Sequence, residues 1–115
     1  MELTDKVKTI AQTLSNKKAQ NINIIYVGDK TIIADYFIIA SASSATHVST
    51  LAEEVDEQAS KAGYPPLRAE GIREGRWAIL DFGDVFVHVF HNEERDFYNL
   101  ERLWADETNC ITYTD

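Results

Sequence analysis

The sequence predicts an α/β domain in which helices pack on a mixed sheet of about five strands. Three observations lead to this prediction. Two long segments place apolar residues three and four positions apart, as an amphipathic helix does. Short β-branched or apolar runs lie between and after these segments, as strands do. Glycine, proline, serine and asparagine residues separate the segments from one another.

The chain length indicates a single folded unit. The protein has 115 residues, of which 44 % are apolar and 26 % are charged, and this is enough for one hydrophobic core. We expect one α/β domain over residues 1–105, followed by a polar, frayed C-terminal tail over residues 106–115.

The first half predicts a helix and two strands. A helix is expected over residues 3–18, with Thr4 as its N-cap and an apolar stripe formed by Leu3, Val7, Ile10, Ala11 and Leu14. A β-branched strand follows at residues 23–27, and residues 31–34 are expected to form a brief turn of helix. Residues 35–42 are apolar almost throughout, which is typical of a central strand buried on both faces.

The second half predicts a long helix, three strands and a helical end. Serines at 41, 43 and 44 can cap a helix that runs to Ala62, where Gly63 and two prolines end it. Strands are expected at 67–71, 77–81 and 85–90, with Phe82 and Gly83 in a hairpin turn between the last two. Residues 93–104 are expected to form one or two short helices.

The charge and cysteine content limit the classes of partner and compartment. A net charge of −8, from 19 acidic and 11 basic residues, disfavours nucleic acid alone as a partner. It suits either solubility or a basic protein partner. Because Cys110 is the single cysteine, no internal disulfide is possible, and a reducing compartment is expected. The N-terminus lacks an apolar signal core and the longest apolar run is residues 36–40, so we expect a cytoplasmic protein without a membrane span.

The residues that could carry chemistry do not form a complete catalytic set. Asp81-Phe82-Gly83 imitates a kinase metal-binding triplet, but the chain has no glycine-rich phosphate loop. Asp81 and Asp84 could hold magnesium for nucleotidyl transfer, although that chemistry normally needs a third carboxylate. His88 lies between two phenylalanines, and we interpret it as a hydrogen-bonded histidine of the sheet rather than a zinc ligand. We therefore expect no cofactor, no metal and no catalysis, and keep a nucleotidyltransferase-like enzyme using Asp81 and Asp84 as an alternative.

The aromatic and arginine residues of the last third suggest a binding surface. Tryptophan, tyrosine and arginine most often dominate protein interfaces. This part of the chain supplies all three, in Arg76, Trp77, Tyr98, Arg102 and Trp104. Tryptophan is also mostly buried on average, so each aromatic fits either the core or an interface.

A set of motifs in order resembles the ribosomal silencing factor family, also called Iojap-like. The resemblance extends from residue 3 to residue 104. The motifs are Asp35-Tyr36-Phe37-Ile38-Ile39-Ala40-Ser41, His47-Val48, Glu70-Gly71, Glu74-Gly75-Arg76-Trp77, Asp81-Phe82-Gly83-Asp84-Val85, Val87-His88-Val89-Phe90, Arg95, Tyr98, Leu100-Glu101 and Leu103-Trp104.

The resemblance implies a function as well as a fold. It implies an α/β fold similar to nucleotidyltransferases but without their active-site residues. It also implies binding to the large ribosomal subunit at the ribosomal protein numbered fourteen. A factor bound there obstructs joining of the subunits and lowers translation when nutrients are scarce or growth has stopped. Contact with nucleic acid is expected to be slight, and a homodimer is expected as a possible free form or as an alternative function.

On this basis we predict a partner-binding patch. Its aromatic residues would supply apolar area, and its carboxylates would meet lysines or arginines of the partner. The predicted residues are Arg76, Trp77, Asp81, Asp84, Tyr98, Leu100, Glu101 and Trp104.

Overall fold

A computed structural model describes residues 3–114 of the chain and shows a mixed sheet with helices packed on it. The elements in chain order are α1 (Asp5–Asn16), β1 (Gln20–Tyr26), β2 (Tyr36–Ala42), α2 (Ala45–Lys61), β3 (Arg68–Glu70), β4 (Trp77–Asp81), β5 (Val85–His91), α3 (Asn92–Tyr98), α4 (Leu100–Trp104) and β6 (Cys110–Thr112). The predicted α/β class is confirmed.

The sheet has six strands in the order β3-β4-β5-β2-β1-β6. Strands β2 and β5 run parallel at its centre, and the other neighbouring pairs are antiparallel. Every residue of β2 is buried, which confirms the central strand predicted from its continuous apolar run.

Helices α1 and α2 cover one face of the sheet. Their apolar stripes are fully buried against alternate residues of the central strands, such as Ile38 and Val87. The side chains of Thr4 and Ser44 accept hydrogen bonds from the first turns of α1 and α2, so both predicted N-caps are confirmed. The prediction of Gly63 as the residue that ends the long helix is also confirmed, since its φ is +94°.

Strands β4 and β5 form the predicted hairpin. Phe82 donates its N–H to the carbonyl oxygen of Val85 at 2.9 Å, and Gly83 takes a φ of +90° in the turn. The Asp81 side chain accepts the N–H of Gly83 at 2.8 Å, so this carboxylate stabilises the turn.

The brief turn of helix expected at residues 31–34 is wrong. The N–H of Thr31 bonds to the carbonyl oxygen of Val27, but residues 32 and 33 are bends. The Thr31 hydroxyl accepts the N–H of Ile33 at 3.1 Å and so replaces the backbone acceptor that a helix would need.

The expectation of a frayed end beyond residue 105 is also wrong. Residues of β6 pair antiparallel with β1, with Ile111 opposite Ile24, and this adds the sixth strand. The Asn109 side chain anchors the connection by donating to the carbonyl oxygens of Tyr26 and Trp104, both at 2.9 Å. The free edge of β1 supplies hydrogen-bond partners to the backbone of this polar segment. The local sequence does not reveal that this edge lies nearby.

Candidate functional site

The second face of the sheet is rich in aromatic side chains and only partly covered. Side chains alternate along each strand, so residues such as Phe37, Phe86 and Phe90 point away from α1 and α2. The short helices α3 and α4 cover part of this face. We call it the aromatic face and define it by Phe37, Trp77, Phe86, His88, Phe90, Tyr98, Leu100 and Trp104.

The rings of the aromatic face contact one another in a continuous chain. The Trp77 ring lies 4.8 Å from that of Phe90 and 4.7 Å from that of Tyr98, measured between centroids. The Phe37 ring lies 5.2 Å from Trp104 and 5.2 Å from His88. Such ring pairs add stability beyond that of burial alone, so we expect the side chains of the aromatic face to be well ordered.

His88 lies inside the aromatic face and confirms the interpretation of a hydrogen-bonded histidine of the sheet. Its side chain is only 7 % exposed, and its Nδ1 atom accepts the indole N–H of Trp77 at 3.2 Å. Burial lowers the pKa of His88 to about 4, because the charged imidazolium would lose its water. His88 is therefore neutral at physiological pH.

Arg95 attaches the short helices to the sheet. Its guanidinium is buried and donates to the Glu101 carboxylate at 2.6 Å and to the Ser41 hydroxyl at 3.1 Å. It also donates to the carbonyl oxygen of Gln20 at 3.3 Å. These bonds connect α3, α4, β1 and β2, and they hold one oxygen of the Glu101 carboxylate against Arg95.

The predicted apolar members of the patch come together. Trp77 and Tyr98 are in ring contact, and Leu100 and Trp104 pack on the buried cluster of the same face. Trp77 is half-buried, so part of its side chain packs within the aromatic face and part remains exposed to solvent.

The predicted charged members of the patch do not form one group. Arg76 pairs with Glu94 at 2.7 Å on α3. The Asp81 carboxylate lies 3.3 Å from Arg68 on β3, whereas Asp84 pairs at 2.7 Å with Lys6.

Lys6 belongs to α1, on the opposite side of the sheet, so Asp84 lies apart from the aromatic residues. Asp81 and Asp84 thus pair with bases on different elements, β3 and α1. Among residues 3–114, no group of three or more histidine, cysteine, aspartate or glutamate side chains could hold a metal ion.

The sequence reasoning missed the apolar surface next to Tyr98. Phe97 is 80 % exposed and Leu103 is 71 % exposed, compared with 44 % for Tyr98. These exposed apolar side chains of α3 and α4 are what we call the outer patch, in which the rings of Phe97 and Tyr98 are in contact. A sequence signal was available, because residues 93–104 contain five apolar or aromatic side chains: Phe97, Tyr98, Leu100, Leu103 and Trp104.

Comparison with known proteins identifies the family. The sequence model of the family described as "Ribosomal silencing factor during starvation" matches residues 1–115 of the chain. The chain belongs to the ribosomal silencing factor family. Ribosomal silencing factor RsfS of Bacillus subtilis (strain 168) is 40 % identical over 100 residues, covering 87 % of this chain and 85 % of that protein. The chloroplastic protein Iojap of Arabidopsis thaliana is 31 % identical over 97 residues, covering 84 % of this chain and 40 % of that protein.

Solved structures show the same silencing-factor fold. A crystal structure of a Chromobacterium violaceum protein superimposes with a TM-score of 0.88 at 29 % identity, covering 100 % of this chain and 95 % of that one. A Bacillus halodurans structure gives 0.80 at 32 % identity, covering 96 % of this chain and 100 % of that one. The resemblance to the family drawn from the motifs is thereby confirmed. Within residues 3–114, no helix combines the length and apolar content needed to cross a membrane.

Proposed function

We propose that this silencing factor binds the large ribosomal subunit through ribosomal protein fourteen and sterically blocks joining of the two subunits. Translation then falls during starvation or stationary phase, in the cytoplasm. The observation that carries the proposal is the outer patch of Phe97, Tyr98 and Leu103 beside the half-buried Trp77. Exposed apolar patches on a soluble protein mark sites where another macromolecule binds.

The construction of the patch suits a blocking role. Steric exclusion requires a rigid body whose bound position overlaps that of the other subunit, and it requires no reaction. Arg95 holds α3 and α4 on the sheet, and the Trp77–Phe90 ring contact supports Tyr98 from beneath. Little conformational freedom is then lost on binding, which favours affinity.

The charge of the chain suits a basic protein partner better than ribosomal RNA. A net charge of −8 repels phosphates and attracts a lysine- or arginine-rich surface. Around the outer patch, Glu93 and Asp96 are exposed carboxylates on α3. We therefore propose contact with a ribosomal protein and little contact with nucleic acid.

The direct test is co-sedimentation of the protein with separated ribosomal subunits, followed by a subunit reassociation assay. We expect co-sedimentation with the large subunit alone and a fall in reassociation at stoichiometric amounts. Full reassociation in the presence of excess protein would contradict the proposal.

The Tyr98→Ala variant tests the patch itself. We expect it to bind large subunits about 10- to 30-fold more weakly, because central aromatic residues are frequent hot spots. Tyr113→Ala is the matched control, since Tyr113 packs with the helix-covered face and bonds to Gln12 at 2.6 Å. Equal binding by both variants would locate the interface elsewhere.

Self-association is a second candidate function, favoured by the same exposed apolar side chains. A homodimer that buries Phe97 and Leu103 would compete with the ribosome for the outer patch. Light scattering with and without large subunits distinguishes the two, because a competing dimer must dissociate on binding.

A nucleotide-transferring enzyme using Asp81 and Asp84 is the remaining alternative, and we expect no heat when the protein is titrated with a magnesium nucleotide.

A further inference from the structure

A groove lies on the aromatic face where α3 and α4 do not cover it. The strand register builds it from two rows across β3, β4 and β5. One row is Arg68, Asp81 and Phe86, and the other is Glu70, Ile79 and His88. These six residues line a cavity of about 260 Å³. That volume suits one side chain and its adjoining backbone rather than a cofactor.

The hydrogen bond from Trp77 determines which nitrogen of His88 carries the proton. An indole N–H can only donate, so the Nδ1 atom of His88 must be the acceptor. A neutral imidazole then carries its hydrogen on Nε2. That buried Nε2 has no hydrogen-bond partner in the described structure. His88 thus lines the groove and has a buried N–H donor without a partner among the described residues, and a buried unsatisfied donor is costly.

The rim of the groove determines what kind of acceptor can approach. Asp81 and Glu70 contribute two carboxylates, against the single cation of Arg68. Arg68 lies 3.3 Å from Asp81, and Glu70 is exposed with no ion pair within residues 3–114. An anionic acceptor such as a phosphate or carboxylate would be repelled by this rim. A neutral carbonyl oxygen can accept the Nε2–H of His88. A lysine or arginine side chain next to it can pair with the carboxylates of the rim.

We propose that this groove receives a segment of the partner protein in which a main-chain carbonyl oxygen accepts the Nε2–H of His88. A lysine or arginine of the same segment lies along Ile79 and Phe86 and meets Glu70 at the rim. The inference rests on the proposed function, because the partner segment is taken to belong to the protein contacted on the large subunit. The Nε2 atom is covered in the free protein, so side chains of the groove must shift as the segment enters.

The first test measures binding to isolated large subunits by co-sedimentation. We expect His88→Phe to bind about five- to tenfold more weakly, because it lacks the Nε2–H donor for the carbonyl oxygen of the partner. We expect Glu70→Gln to weaken binding severalfold, with the difference shrinking at high salt. Glu53→Gln is the matched control, since Glu53 is exposed on α2. Stronger binding by Glu70→Gln would overturn the proposal in favour of an anionic ligand such as RNA phosphate.

The second test does not depend on any partner. Nitrogen-15 NMR of the His88 imidazole in the free protein should show a protonated Nε2 and an unprotonated Nδ1. In the Trp77→Phe variant, which lacks the indole N–H, the two tautomers should mix. A proton on Nδ1 in the wild-type protein would overturn the proposal.

The two tests separate this inference from the proposed function. Failure of the wild-type protein to bind large subunits refutes the proposed function, and with it this occupant of the groove. Wild-type binding together with undiminished binding by His88→Phe overturns the groove assignment alone.

Discussion

Acidification is expected to destabilise this protein through His88. The imidazole stays neutral in the fold because burial lowers its pKa from 6.5 to about 4. In the unfolded chain the same group takes up a proton below its ordinary pKa. The unfolded state therefore binds more protons between these two values, and the free energy of unfolding falls as the pH falls through this window. Above the pKa of His88 in the unfolded chain, the imidazole is neutral in both states and the free energy of unfolding keeps its full value.

The linkage relation gives the size of the effect. With pKa values of 6.5 and about 4, a change from about pH 7 to about pH 5 removes roughly 2 kcal/mol from the free energy of unfolding. Small domains are stable by about 5–15 kcal/mol, so this loss is readily measured. Asp106 also has a shifted pKa, held below its usual range by the Thr108 N–H and by Lys30. Its contribution is lost only below the unfolded pKa of an aspartate, outside this window.

Urea unfolding followed by tryptophan fluorescence at the two pH values measures the effect. The His88→Gln variant is the control, because glutamine does not titrate and its amide oxygen can accept the Trp77 indole N–H. We expect the wild-type protein to lose about 2 kcal/mol more than His88→Gln on acidification. His88→Phe provides a second non-titrating side chain and should behave in the same way. An equal loss in the wild-type protein and both variants would refute the assignment of this pH dependence to His88.

Two further predictions concern residues that attach the short helices and β6 to the rest of the sheet. Arg95→Met removes the guanidinium that pairs with Glu101 and leaves that carboxylate without its cation. Because Glu101 keeps some contact with water, we expect a loss of about 2–3 kcal/mol of unfolding free energy, less than for a fully buried pair. Exposed Arg102→Met is its control and should change stability by less than about 0.5 kcal/mol, so similar losses in both would contradict the role of Arg95. Asn109→Ala removes three hydrogen bonds at the entry to β6, and we expect thermal or urea unfolding to show a loss of about 2 kcal/mol. Exposed Glu107→Ala is the comparison variant, and an unchanged Asn109→Ala midpoint would mean that β6 adds little stability.

The elements with strong local signals were predictable from the sequence. The long helix had a serine cap, a stripe of apolar residues and a glycine at its end, and each of these acts through neighbouring residues. The hairpin at Gly83 follows from a turn that needs a positive φ. The continuous apolar run of residues 36–40 predicted the central strand, because only a strand covered on both faces tolerates it.

The candidate site was predictable in part. The motif residues Trp77, Tyr98, Leu100 and Trp104 do meet on one face. Asp84 does not join them, because Lys6 attracts its carboxylate toward α1. The two residues are separated by 78 positions in the chain, so no local pattern could reveal the pairing.

The amino-acid sequence by itself determined the α/β class, the helix caps, the central strand and the family. These features depend on side-chain spacing and on residue types that act over a few positions. Only the tertiary structure decided that residues 110–112 form a sixth strand, that Arg95 is buried, and that the Nε2 atom of His88 is buried without a hydrogen-bond partner among residues 3–114. Each of these depends on atoms brought together across the sheet, where distant strands set the neighbours of a side chain and its access to water.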